Sequence, residues 1–406
     1  MTNCLICEHS IAPFLSFGKM PIANGFLLPE QFSDEYFFEL SVAFCQHCHT
    51  VQLTELVDRE RMFHENYAFF SSTSTRMAMH FEQFAGWVKD KYLHDNDPFV
   101  VEIGSNDGIM LRHFAQANIR HLGIEPSANV AAVALSKGVR TTCGFFDEQM
   151  AQRVLAEDGP ADAFLGANVM CHIPYIHSVF AGVKKLLKPR GILAFEDPYL
   201  GDIVEKTSYD QIYDEHAFYF SVTSISYLAE QHGLELIEVQ AQPVHGGSMR
   251  YVLSHRGAHP VAQSVQVQRE KEERLGLERP ETYDRLRQNV QVSRDALKNL
   301  LVDLKERGET VAGYAATSKS TTVTNYCGLS PDLIEFISDT TPIKQGKYSP
   351  GVHIPIRPYD DFKANYPNYA LLFGWNHADE IMAKEEAFKS AGGKWIVYVP
   401  KVQVLT

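Results

Sequence analysis

The stretch Phe99-Val100-Val101-Glu102-Ile103-Gly104-Ser105-Asn106-Asp107-Gly108 decides how the rest of the chain reads. Its first half is apolar and largely β-branched or aromatic, which predicts a buried strand. Gly104 breaks that pattern, and Gly108 opens Ile109-Met110-Leu111-Arg112-His113-Phe114, which has helical spacing. Strand, glycine turn and helix in that order predict the first βα unit of a doubly wound α/β sheet. Glycines permit tight turning and close approach of backbone to a ligand, and free N–H groups at a helix start favour an acceptor-rich partner. About twenty residues on, the apolar run 121–124 ends in Glu125, where an acid takes ribose hydroxyls in such folds. A strand-turn-helix that binds nothing is the alternative, and the Glu125 spacing favours a nucleoside site.

The turn is not a dinucleotide fingerprint, because no G-x-G-x-x-G can be laid over it. With Glu102 before the first glycine and Asn106 inside, it resembles the E-x-G-x-N-x-G loop of Rossmann-like S-adenosylmethionine-dependent methyltransferases. The expected cofactor contacts are Gly104, Ser105, Asn106, Asp107, Gly108 and Glu125, with Phe146 against the adenine and Asn168 at the next strand end. His172 also falls beyond a strand's carboxyl end, where ligands gather in open α/β sheets.

The chain has 406 residues, 45% apolar and 21% charged, which predicts two or three ordinary domains. Its formal charge of −13 argues against broad binding to a nucleic-acid backbone, which needs concentrated Lys and Arg. No apolar run is long enough to span a bilayer and no leader is recognisable, so a cytoplasmic protein with reduced cysteines is expected, with neither nucleic acid nor membrane as partner.

Four of the seven cysteines are paired by spacing: Cys4-x-x-Cys7 and Cys45-x-x-Cys48. Two such knuckles complete a closed tetrahedral Cys₄ set with no position left for water, which predicts a structural zinc remote from the chemistry. A redox pair belongs at a helix start in a βα pattern, whereas loop residues Pro13, Gly18 and Pro21 follow here. His47 and His49 are second-choice ligands; Cys143, Cys171 and Cys327 read as small buried residues. Residues 1–65 therefore read as a zinc-stapled module. An amphipathic helix is expected over 76–92, and its aromatic, hydroxyl-rich lead-in, with Tyr67, has two readings: a cover over a site mouth, or a hydrogen-bonded packing role for Tyr67.

The densest chemistry lies in 208–221, where Tyr209, Asp210, Tyr213, Asp214, Glu215 and His216 precede Phe218-Tyr219-Phe220. A carboxylate beside an imidazole orients the ring and tunes its basicity, and imidazole is the natural group for removing a proton near neutral pH. The alternative is a polar loop whose acids face water. Two strands near 234–240 and 248–253 follow, joined by a turn at His245-Gly246-Gly247; Arg250 is available for an anion or for a surface ion pair. After about 257 a charged connector leads into a second α/β unit. Its loop at 315–322 offers hydroxyls and Lys319 to phosphate without P-loop spacing, and Asp339 ends the next strand.

Over essentially its whole length the chain resembles sugar C-methyltransferases that act on nucleotide-linked 4-keto-deoxy sugars. The motifs are C-x-x-C…C-x-x-C, E-I-G-S-N-D-G, Y-D-Q-I-Y-D-E-H-x-F-Y-F-S, H-G-G-S-M-R, G-Y-A-A-T-S-K-S, N-Y-C-G, D-T-T-P-I-K-Q-G-K-Y-S-P-G and W-N-H-A-D-E-I. The resemblance implies a zinc-binding domain (1–65), a cofactor-binding methyltransferase domain (66–256) and a C-terminal Rossmann-like domain (257–406) that holds a TDP- or GDP-linked sugar, in a monomer. It implies His216 as base, with Tyr213 and Glu215 beside it and Tyr67 and His172 near the reacting sugar. It also implies Ser318, Lys319, Asp339, Lys344 and Tyr348 around the nucleotide, with His245 and Arg250 on the substrate side. The chain departs from the family where T-S-K replaces P-A-K and G-W-N replaces P-W-N. Two other readings stay open at this level: an O- or N-methyltransferase on the same scaffold, and a non-catalytic zinc-containing binding protein.

Overall fold

A computed structural model describes residues 2–62 and 75–405. Its centre is a seven-stranded sheet of β1 (Phe99–Ile103), β2 (Arg120–Glu125), β3 (Thr141–Cys143), β4 (Ala161–Ala167), β5 (Leu187–Pro198), β6 (Leu234–Gln242) and β7 (Ser248–His255). The spatial order is β6-β7-β5-β4-β1-β2-β3. Pairings from β3 to β5 are parallel, and β7 lies antiparallel between β5 and β6. This is the Rossmann-like methyltransferase fold. All five residues of β1 are buried, as an inner parallel strand covered on both faces requires.

The turn after β1 is longer than its spacing predicts. The helix begins at Leu111, two residues late, and runs only six residues, Leu111–Gln116. Gly104, Asn106 and Gly108 all take positive φ, at 57°, 48° and 78°. Both glycines are also sterically required. A Cβ on Gly104 would lie 2.7 Å from Val169 Cγ2, and one on Gly108 would lie 2.9 Å from Val139 Cγ2. The helix expected over 76–92 spans Thr75–Tyr92. Tyr67 and the rest of its lead-in lie outside the described residues.

The chain's two ends build sheets of their own. A six-stranded sheet, parallel except for its last strand, runs Ile356–Arg357, Ile337–Ser338, Val311–Tyr314, Tyr369–Leu372, Lys394–Val397, Gln403–Leu405. It is reached through the 27-residue helix Pro280–Glu306, whose Leu286, Val290, Leu297, Leu301 and Leu304 are buried. At the other end, antiparallel strands Pro13–Pro21, Phe37–Phe44 and Val51–Leu53 are joined by a fourth, Phe218–Tyr219, which begins two residues after His216 of the Asp214-Glu215-His216 run. The N-terminal module is thus hydrogen-bonded into the candidate reaction loop. Its apolar side chains divide between two cores. Cys4, Ile6 and Cys48 pack with Phe164, Phe180 and Val222, while Leu15, Phe17 and Leu40 pack with Leu297, Val323 and Tyr398. Among the described residues no helix is long and apolar enough to cross a membrane.

Candidate active site and zinc centre

The two cysteine knuckles are built alike. Cys4 N–H donates to His9 O and Cys45 N–H to Thr50 O; Glu8 and His49 close the turns with φ of 62° and 58°. All four sulfurs lie within 4.8 Å of one another, with Cys4–Cys48 and Cys7–Cys45 both at 3.4 Å. A zinc–sulfur bond of about 2.3 Å gives a tetrahedron with edges of about 3.8 Å, so the set fits zinc. Ile6 N–H donates to Cys4 Sγ at 3.4 Å, a contact that suits a thiolate. His47 and His49 are outside the set, and His47 stacks on His9 with ring centroids 3.8 Å apart. Of the three remaining cysteines, Cys171 and Cys327 are buried as expected, but Cys143 is exposed at the end of the edge strand β3.

At the carboxyl ends of β1 and β2, Glu125 ties the glycine turn together. Its carboxylate accepts from Asn106 N–H at 3.0 Å and from Ser127 N–H at 2.8 Å. Burial raises its pKa, and those backbone donors oppose the rise. Nearby Glu102 is pushed well above the usual carboxylate range by burial and by the charges of Glu125 and Asp107. Glu102 Oε2, Ser105 Oγ and Asn168 Oδ1 are buried with no protein hydrogen-bond partner. A nucleoside-bearing amino acid such as S-adenosylmethionine offers amino, carboxylate and ribose groups to such atoms, and the glycines leave room for its close approach. Phe146 needs correction. It is 3% exposed, in the loop between β3 and the helix Glu148–Asp158, and packed on Phe164 with ring centroids 4.7 Å apart. The neighbouring Phe145 is the half-buried one, under the Arg59 guanidinium at 4.0 Å.

A short turn joins this cradle to the imidazoles. Asp197, at the end of β5, accepts from Val169 N–H at 3.1 Å and Cys171 N–H at 3.0 Å. Burial raises Asp197 to about 8. Those bonds set the 3₁₀ turn Met170–His172, whose His172 ring lies 5.1 Å from that of His216. Loss of solvent lowers His172 to about 4. His216 is 1% exposed and is lowered well below the ordinary imidazole value by burial, with His172 adding to it. Its Nδ1 lies 2.8 Å from Gln211 O, an acceptor only, so Nδ1 carries the hydrogen. Nε2 then presents its lone pair, which accepts from Tyr213 OH at 2.9 Å. The imidazole is neutral, with its tautomer fixed.

Glu215 and Asp214 are both buried, and burial pushes them to about 8 and about 6. Asp210 was read only as part of a polar run. It accepts from Trp375 Nε1 at 2.6 Å and Tyr398 OH at 2.7 Å, both from the C-terminal part. Thr322 Oγ1, from the same part, donates to Ile212 O at 2.9 Å. Asn24 from the N-terminal module donates to Glu215 Oε1 at 2.7 Å. All three parts of the chain therefore meet on 208–216. No motif signals Asn24 or Tyr398, whose partners lie 191 and 188 residues away, and the W-N-H-A-D-E-I motif that Trp375 opens does not say that its ring N–H meets Asp210.

The second α/β unit repeats the first unit's device. Asp339 accepts from Ala316 N–H and Thr341 N–H, each at 2.7 Å, as Glu125 clamps its own turn. Ser318 is the first residue of the helix Ser318–Tyr326, capped by the Thr317 side chain. Lys319 Nζ donates to Asn376 Oδ1 at 3.2 Å and His245 O at 3.4 Å, and lies 4.8 Å over the Trp375 ring. Lys344 Nζ donates to Ala316 O at 2.8 Å. Burial lowers both lysines. Tyr348 pairs its backbone with Leu27. His245 has a φ of 54° and is lowered to about 3 by loss of solvent and the nearby Lys319 charge. Arg250 also needs correction. Its guanidinium is committed to Glu196 Oε1 at 2.5 Å and Gln240 Oε1 at 3.0 Å and lies 3.8 Å over the Phe84 ring. The strand register puts Arg250 opposite Glu196 in β5, so it is an internal ion pair and not a hand held out to an anion.

Comparison with known proteins gives three family matches: a zinc binding domain over residues 4–63, a methyltransferase domain over 60–239 and a C-methyltransferase C-terminal domain over 243–400. The chain is 33% identical over 407 residues to the C-methyltransferase NovU of Streptomyces niveus, covering 100% of this chain and 97% of that protein. Among solved structures, it is similar to PH0226 from Pyrococcus horikoshii OT3 (TM-score 0.38, 14% identity), over 50% of this chain and 100% of that one. A magnesium protoporphyrin IX methyltransferase from Synechocystis PCC 6803 with bound SAH gives a TM-score of 0.36 at 15% identity, over 48% and 92%.

Proposed function

This chain belongs to a family of S-adenosylmethionine-dependent C-methyltransferases with a structural zinc, and on that premise we propose that it methylates a ring carbon, C3, beside the ketone of a 4-keto-6-deoxy sugar carried on TDP or GDP. The observation that carries the reading is the His216 imidazole: buried, neutral, with Nδ1–H fixed on Gln211 O and the Nε2 lone pair facing a phenol. Residues 1–65, 66–256 and 257–406 serve as zinc-binding, cofactor-binding and sugar-nucleotide-binding parts.

His216 Nε2 takes the proton from the carbon next to the ketone, and the C–H electron pair becomes the carbon–carbon double bond of an enolate. The Tyr213 hydroxyl, which donates to Nε2 in the free protein, turns to the ketone oxygen when substrate binds, so the Nε2 lone pair is open to the C–H proton and the phenol meets the charge that develops on the enolate oxygen. His172, and Tyr67 on the sequence argument, supply further donors. Donors aimed at charge that develops only in the transition state give the largest electrostatic assistance. When bound, S-adenosylmethionine would supply an electrophilic methyl group, the enolate's electron pair forming the new carbon–carbon bond as the sulfur–methyl pair leaves on the thioether of S-adenosylhomocysteine. Gly104, Ser105, Asn106, Asp107, Gly108, Glu125 and Asn168 hold it. The diphosphate lies at Ser318 with Lys319 and Lys344, whose lowered pKa values rise again when an anion arrives. His245, Asp339 and Tyr348 border the same space. Holding two reactants in one orientation accounts for much of the barrier in such a step.

The test is incubation with methyl-labelled S-adenosylmethionine and a panel of TDP- and GDP-linked 4-keto-6-deoxy sugars. The expected product carries the label on a ring carbon; label on oxygen or nitrogen contradicts the reading. Glu125→Gln puts an amide N–H against the N–H of Asn106 or Ser127 and removes a charged ribose acceptor. It is expected to raise the Kd for S-adenosylmethionine by roughly 10- to 100-fold by calorimetry. An unchanged Kd places the ribose elsewhere.

A further inference from the structure

Segment 22–28 leaves the strand Pro13–Pro21 of the zinc-stapled module and ends between the reaction loop and the C-terminal part. It is anchored at both ends. Ala23 N–H donates to Asp214 Oδ1 at 2.9 Å, and Ala23 O accepts from Thr321 Oγ1 at 2.8 Å. Leu27 and Tyr348 exchange backbone hydrogen bonds of 3.3 and 2.9 Å, and the Phe26 ring lies 5.1 Å from Lys344 Nζ. Between these anchors the Asn24 side-chain amide donates to Glu215 Oε1 at 2.7 Å.

We infer that Asn24 is a positioning residue of the methyl-transfer site: its amide fixes the Glu215 carboxylate next to His216, so the zinc-stapled module supplies one wall of the reaction centre. The inference rests on the C-methylation reading above. Glu215 is 5% exposed and Asp214 3%, and they are adjacent in sequence, so two acids share one small buried volume. Around Glu215 stand Asp214 and His216 on its own loop, Cys171 on the Met170–His172 turn, Lys344 from the C-terminal part and Asn24 from the N-terminal module. Burial and the Asp214 charge favour the neutral acid; Asn24 and Lys344 favour the carboxylate. Asp214 already has Ala23 N–H on one oxygen, while its Oδ2 has no hydrogen-bond partner. An amide hydrogen on Glu215 Oε1 therefore favours the Glu215 carboxylate against the Asp214 charge and fixes where its oxygen points. Lys344, the other group that favours the charge, belongs to the candidate diphosphate site, so Glu215 senses both the module and the substrate.

The test uses Asn24→Ala and the isosteric Asn24→Asp, with zinc content measured to verify that the module is intact. Glu215 is titrated by NMR of protein labelled at the glutamate carboxyl carbon, its signal assigned by its loss in Glu215→Gln. Removing a donor to the charged form raises the carboxyl's pKa, so titration in Asn24→Ala is expected about one pH unit above that of wild type, and higher still in Asn24→Asp, whose carboxyl adds a like charge beside Glu215. The limb of the kcat–pH profile that Glu215→Gln removes is expected to move upward equally, with KM for S-adenosylmethionine unchanged. Wild-type titration in both variants overturns the inference, as does a shifted carboxyl with an unmoved kcat limb. A shifted carboxyl in a chain that transfers methyl to oxygen or nitrogen leaves the hydrogen bond standing and refutes the reaction.

Discussion

Asn in place of His216 is expected to lower kcat by roughly 10²- to 10⁴-fold, the usual worth of a positioned general base, while the Kd for S-adenosylmethionine stays within about twofold. The amide is close to the imidazole in shape, so the 1% exposed site keeps its packing. It can still donate to Gln211 O, but it has no basic nitrogen to offer in place of Nε2. The wild-type imidazole is held well below its ordinary pKa by burial, so it stays unprotonated through neutral pH. No loss of activity is expected as pH falls from 7 to 6 on account of His216; a loss there would come from another group. Stopped-flow methyl transfer with calorimetric cofactor binding checks both halves. A fully active variant means another residue takes the proton.

Cys48→Ser is the second large effect. Cys48 is fully buried, and its sulfur contacts that of Cys4 in a set that fits zinc. A structural zinc contributes about 10–16 kcal/mol of binding energy to folding, against about 5–15 kcal/mol of net stability for a typical domain. Losing one ligand is therefore expected to empty the site and unfold the N-terminal module. The reaction loop will feel this through two routes. The strand Phe218–Tyr219 loses its partner Val51–Leu53, and segment 22–28 loses its hold on Asp214 and Glu215. Activity is expected to fall at least 100-fold although no reaction step uses the metal. Metal analysis, limited proteolysis of the first sixty residues and turnover check it together. A metal-free chain that keeps its activity contradicts the account.

Much of this architecture was legible in sequence because its signals are local. The strand-glycine turn at 99–108, the paired cysteines and the periodicity of 286–304 each declare an element within one window, and each is present. What was missed lies in loop path and in long-range pairing. Phe145 and Phe146 are adjacent in the loop after β3, and the loop's path, which composition does not set, decides which of them is core. Arg250 looked available because nothing nearby in sequence pairs with it; its partner Glu196 is 54 residues away, brought opposite by β7 lying beside β5. The zinc set was legible, and the reach of its module was not. The module's segment 22–28 touches the reaction loop through residues with no motif of their own, 191 positions from their partners.

The most direct measurement omits the methyl donor. A TDP- or GDP-linked 4-keto-6-deoxy sugar is incubated in D₂O with the enzyme and S-adenosylhomocysteine, and the hydrogen beside the ketone is followed by NMR. The account predicts its exchange for deuterium with wild type and none above background with His216→Asn. Exchange at the wild-type rate in that variant would contradict the assignment of His216 as the base.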